Sequence, residues 1–145
     1  MAFYSVSRSN VALSTTNDFM TLITAANRRL LLHEVSISGM GIASAANELL
    51  VSRSTGGTTG GGAVTPDKVV SDAPAAATVV DTTWAAQPTL SGTGLLRLGC
   101  NANGGVYRWV AKPGEEIECR NAEQLSLRSA LGTSSVSVHV VFEEI

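Results

Sequence analysis

The sequence predicts an all-β fold: an antiparallel two-sheet sandwich of jelly-roll type, with about eight strands. Three observations carry that expectation. Apolar and polar residues alternate with period two along most of the chain, as they must where one face of a strand is buried and the other is wet. Turn-forming residues punctuate the alternating segments at short intervals. The length, 145 residues, suits one domain and is ample for one hydrophobic core.

The first clear strand is Phe19–Thr24, and Ala25-Ala26-Asn27 turns the chain. Leu30–Ser38 follows, with Leu31, His33, Val35 and Ile37 on one face and Leu30, Leu32, Glu34 and Ser36 on the other. Gly39-Met40-Gly41 ends it, and Glu48–Ser54 is the third strand. Ala43–Asn47 before it could form a helical turn. Residues 55–93, rich in Gly, Thr, Ala and Pro, read as a long excursion, since loops above about 12–15 residues are uncommon unless functional or mobile. Short apolar pieces inside it, Lys68-Val69-Val70 and Thr78-Val79-Val80, could add a small strand or pair with a neighbouring chain.

The C-terminal third is denser in signals. Leu95–Cys100 is a strand, and Asn101-Ala102-Asn103-Gly104-Gly105 supplies the positive φ of a tight turn, so that Val106–Val110 is expected to pair back against it. Pro113-Gly114 fits the two central positions of a type II turn. Glu116–Arg120 and Leu125–Arg128 are the next strands, and Gly132-Thr133-Ser134 leads into Val136–Phe142. The polar stretch 1–17 reads as an extended N-terminal arm, leaving 18–145 as the domain.

Composition narrows the function. Charged residues make up 15% of the chain, against an average near 25%. Lys68 and Lys112 are the only lysines, and Arg28-Arg29 is the only adjacent basic pair. A domain so poor in charge has neutral surface that is easily buried against a partner. The net charge of −2 argues against a nucleic-acid partner, which needs a basic patch. No apolar run approaches the roughly 20 residues that span a membrane, and residues 1–10 do not read as a signal peptide. The expected compartment of synthesis is therefore the cytoplasm.

Catalytic and metal-binding patterns are missing, so no catalytic residue, cofactor or metal is expected. His33 and His139 each lie in an alternating strand and read as packed or hydrogen-bonded residues. Glu34 directly follows His33, which in a regular strand sends the two to opposite faces. There is no His-x-His of a metal-binding cupin, no Gly-Lys-Ser/Thr ending on Gly56–Gly62, and no Gly-x-Ser-x-Gly elbow. Cys100 and Cys119 extend apolar alternations and read as small buried thiols, with a disulfide as the alternative.

Three stretches carry a resemblance. Residues 26–39 (ANRRLLLHEVSISG), 48–57 (ELLVSRSTGG) and 108–115 (RWVAKPGE) resemble small jelly-roll proteins from the structural modules of tailed bacteriophages, including capsid decoration, or cement, proteins. The resemblance covers most of 19–143. It implies a non-enzymatic virion protein on the outer surface of the capsid, made in the host cytoplasm. There it would bridge major capsid protein subunits and self-associate as a trimer or, alternatively, a dimer. The second reading is a phage tail-tip or fibre head domain that binds a host glycan or receptor.

The arm and the excursion are the expected reaching segments. Phe3, Tyr4 and Trp84 are the candidate aromatic anchors, and Arg28 and Arg29 complete the candidate interface. For Trp84 the other reading is a cap over the core. Removing residues 1–10 is expected to weaken attachment while leaving the fold intact.

Overall fold

The computed structural model describes residues 2–145, which form fourteen strands and no helix. In chain order these are β1 (Ala2–Ala12), β2 (Asp18–Ile23), β3 (Arg29–Met40) and β4 (Ala46–Thr55). Five short strands follow: β5 (Thr58–Thr59), β6 (Ala63–Val64), β7 (Asp67–Lys68), β8 (Val79–Asp81) and β9 (Trp84–Ala86). The rest are β10 (Thr89–Asn101), β11 (Asn103–Val110), β12 (Ile117–Arg120), β13 (Gln124–Leu131) and β14 (Ser135–Glu144).

Two six-stranded antiparallel sheets result. The first runs β11-β3-β14-β1-β7, with β12 sharing the outer side of β3 beside β11; the second runs β10-β4-β13-β2-β8-β6. A two-stranded ribbon of β5 and β9 stands apart. The core lies between the inner faces, where Tyr4, Val6, Leu30, Leu32, Val35, Ile37, Val138, Val140 and Phe142 of the first sheet are buried with Met20, Leu22, Leu49, Val51, Leu98, Leu125 and Leu127 of the second. Each such side chain contributes about 1.5–3 kcal/mol by leaving water, which offsets the entropy of ordering the chain. Each of the eight expected segments falls largely on a strand, so the antiparallel β architecture stands as read.

The N-terminal stretch is a correction. Residues 2–12 are not an arm: β1 is an interior strand, paired with β14 from Ala2↔Glu144 to Ala12↔Ser135 and with β7 on its other side. Its serines misled the reading because they occupy the outward positions, while Tyr4 and Val6 point into the core. Met1 lies outside the described residues. Deleting 1–10 would therefore remove core and ladder together, so the expectation of an intact fold fails.

Three local corrections follow from the ladders. β10 and β11 are consecutive but do not pair with each other: β10 joins β4 in one sheet and β11 joins β3 in the other. Their turn sits at Ala102, one step before the Asn-Gly pair, and the Asn101 side chain accepts the Asn103 N–H at 2.8 Å. Gly104, at φ 75°, instead lies within an irregular stretch of the β11 ladder. In β3 the register with β14 shifts between Leu32 and Glu34, so Leu32 and Val35 are both buried and the expected face assignment is broken. His33 and Glu34 are left together, half-buried, outside the core. Residues 43–47 form no helical turn, and the chain enters β4 at Ala46. The Pro113-Gly114 turn matches its expectation, with the Glu115 N–H donating to Lys112 O at 2.9 Å and Gly114 at φ 85°.

Candidate interaction surfaces

The residues expected to form an interface separate into three environments. Tyr4 is 1% exposed, stacks on Phe142 with ring centroids 5.6 Å apart, and donates its hydroxyl to Pro74 O at 2.9 Å. It is a core residue whose polar tip holds the excursion, so as an interface anchor it is a correction. Burial raises its hydroxyl pKa, helped by the nearby Glu144 carboxylate. Phe3 points outward from β1 and lies 5.2 Å from the His33 ring. Arg28 and Arg29 are exposed at the turn leading into β3, where Arg29 reaches Glu118 at 3.2 Å. Phe3, Arg28 and Arg29 thus lie at the end of the sandwich where the chain termini meet, while Trp84 is elsewhere.

Trp84 belongs to the lid over the second sheet. Its indole N–H donates to the Thr21 hydroxyl at 3.0 Å, and Thr21 lies on the outer face of β2, away from the apolar core. It is a cap, but over a polar floor. That floor is a connected hydrogen-bonded group: the Asp18 carboxylate accepts from the Thr21 and Ser126 hydroxyls and from Arg128 at 2.7 Å, and the Ser126 hydroxyl also contacts Ser54 at 2.7 Å. The excursion closes over it through Gln87, which accepts the Asp18 N–H at 2.8 Å, and Pro88 O, which accepts from Arg128 at 2.9 Å. Glu144 fastens the other limb by accepting the N–H groups of Ala77 and Thr78. The segment expected to reach outward is wrapped onto its own domain.

The histidines are each held by one partner. His33 Nε2 lies 3.0 Å from a Glu143 oxygen, and His139 Nδ1 lies 2.6 Å from the Ser7 hydroxyl. Glu34 is occupied by a two-point contact with Arg108 at 2.6 and 2.7 Å, which holds its carboxyl pKa below the usual range. Although the bulge puts His33 and Glu34 side by side, each is committed to a different strand. Among the described residues, no group of three or more His, Cys, Asp or Glu side chains is arranged to hold a metal ion. Both cysteines are free thiols; burial pushes Cys119 up to about 11 and raises Cys100 as well.

The most distinctive surface was not foreseen. The connections β1–β2, β3–β4, β10–β11 and β13–β14 gather at the end opposite the termini and are laced together. Gly41 N–H donates to Ala102 O at 2.7 Å, Ala102 N–H to Ala45 O at 2.8 Å, and Leu13 N–H to Ser134 O at 3.1 Å. The segments 12–17, 39–47, 99–106 and 130–135 that build this end contain no Asp, Glu, Lys, Arg or His. On this rigid platform Ile42 is 100% exposed, Val106 72%, Leu131 55% and Met40 48%. A shallow depression of about 520 Å³ begins two residues along the chain from Ile42, lined by Ser44, Ala46, Glu48, Gly99, Asn101 and Leu131 among others, and Glu48 is paired there with Arg97 at 2.6 Å. The one sequence signal was apolar Met40 and Ile42 alternating with Gly39 and Gly41, which reads more simply as a strand end. The absence of charge becomes visible only when the topology assembles the four segments.

No protein-family model matches the chain, and no curated protein matches it.

Proposed function

We propose that this chain is a non-enzymatic structural protein of a tailed-phage virion that decorates the outside of the capsid and bridges major capsid protein subunits. We also propose a jelly-roll topology. With β11 and β12 taken as one edge position and the short strands of the excursion set aside, the eight long strands follow the order 1-8-3-6 in one sheet and 2-7-4-5 in the other. That order is what two interleaved Greek keys produce and supports the reading.

The observation that carries the functional reading is the rigid, uncharged end with exposed aliphatic side chains. Interface cores are depleted in charge, and side chains presented on a pre-ordered backbone lose little entropy on docking. The partners in this reading are the major capsid protein and further copies of this chain, as a trimer or a dimer, without nucleic acid, membrane or cofactor.

The test is to image virions or heads assembled with and without the protein. Stoichiometric density at symmetry positions on the outer head, with loss of heads to heat when it is omitted, is the expected result. Density on the tail, or specific capture on a glycan array, would overturn the reading in favour of a receptor-binding tail domain. That alternative calls for exposed aromatic rings on the loops at one end, whereas the uncharged end presents Met40 and Ile42.

A further inference from the structure

We infer that the uncharged end is the contact between copies of this chain, with the Ile42 tip of one copy seated in the depression beside Leu131 of the next. Two independent observations select a second copy as the occupant. The first is electrostatic. In a homo-oligomer the same patch, or its immediate neighbours, meets itself, so any unpaired charge there faces its own sign. The four segments of this end carry no ionisable side chain, and the carboxylate that does line the depression, Glu48, is neutralised by Arg97 rather than left to face its own sign. The opposite end is unlike it: Arg28, Arg29, Lys112, Glu115, Glu118, Arg120 and Glu123 all lie on its turns or the strand ends that flank them.

The second observation is shape. A projecting aliphatic group and a hollow with small residues at part of its surface occur close together on one end, since Ile42 is two residues from Ser44 in the wall. Gly99 and Ala46 leave room on the floor, and Leu131 supplies an apolar wall. A knob next to its own socket lets every copy both insert and receive, the condition for a closed ring or a twofold pair. The hydrogen bonds that pin the β3–β4 connection to Ala102 hold the tip in place before contact, so docking orders little that is not already ordered.

This inference deepens the self-association in the proposed function without resting on the capsid, because its test uses the purified chain alone. Sedimentation equilibrium from low to high micromolar concentration should show a discrete oligomer. Ile42→Glu and Leu131→Glu, both at exposed positions, should each raise the dissociation constant by about 100-fold or more, since an unpaired carboxylate would be buried. Lys112→Glu, at the opposite end, should change it by no more than about twofold. Amide exchange of the wild-type chain provides the measurement that needs no variant: protection at 40–46 and 101–106 should rise with protein concentration. A wild type that stays monomeric, an oligomer that survives both glutamate variants, or concentration-independent exchange at these segments would each overturn the assignment. A purified chain that oligomerises here yet never occupies heads would overturn the capsid reading alone.

Discussion

Gly132 closes the turn into β14 at φ 84°, a region that only glycine enters without strain. A Cβ there would also collide with the Asn47 side chain and Ala46 O. Gly132→Ala is therefore expected to cost well over about 1 kcal/mol in urea denaturation, the cost of a β-carbon where φ is positive. Beneath the lid, Asp18 is fully buried and Arg128 is its cation. Arg128→Met should cost about 3–5 kcal/mol, because it leaves a buried carboxylate without its cation and with only the Thr21 and Ser126 hydroxyls, and replacing both residues with apolar ones should recover much of that loss. Glu34 gives a pH dependence. Arg108 holds its carboxyl below the usual range, so the folded state favours the carboxylate. Its contribution is present above the unfolded value near 4.3 and is lost as pH falls through the lowered folded value. The difference in melting temperature between wild type and Glu34→Gln should shrink below about pH 4, and it should be small throughout because Arg108 is largely solvated. The thiols offer a simpler check: with Cys119 buried and pushed up to about 11, native protein at neutral pH should react slowly with a thiol reagent and yield two thiols only when unfolded.

At the level of elements, β1 and the excursion separate what the sequence made legible from what it hid. Strands β3 and β14 were readable because Val35, Ile37, Val136 and Val138 alternate with polar neighbours and are buried against the core. β1 follows the same rule, but its fully buried residues are Tyr4 and Val6 in a run of serines, so its pattern looks like a solvated tail. Pairing β10 with β11 was the natural local choice; their separation depends on long-range ladders with β4 and β3 that no local signal announces. The excursion was hidden for a chemical reason. It is fastened by Asp18, Gln87, Arg128 and Glu144 through polar contacts, so no apolar stripe marks where it docks. Two experiments follow. Tyr4→Ala should cost about 3 kcal/mol or more, as large aromatic truncations in cores do, which a detachable arm would not. Trp84→Ala should raise amide exchange across 82–91 while leaving β3 and β14 protected, because the lid opens without the apolar core.

For the whole molecule, the organising feature is how charge is distributed between the two ends. The turns near the termini carry ion pairs such as Arg29–Glu118 and Lys112–Glu115, while the four connections at the far end carry none. Segregation of this kind has a thermodynamic consequence for any association through the far end. Without charges to screen, the dissociation constant should barely move between low and high salt, whereas contacts through the charged end would weaken as the Debye length falls from about 10 Å at 0.1 M to about 3 Å at 1 M. Burial of Ile42, Leu131, Met40 and Val106 should instead give a negative heat-capacity change, so the association enthalpy becomes more favourable with temperature. Titration calorimetry by dilution at several temperatures and two salt concentrations reads both quantities in one series. A strong salt dependence with a flat enthalpy would assign the contact to the charged end and leave the aliphatic tip without a role in self-association.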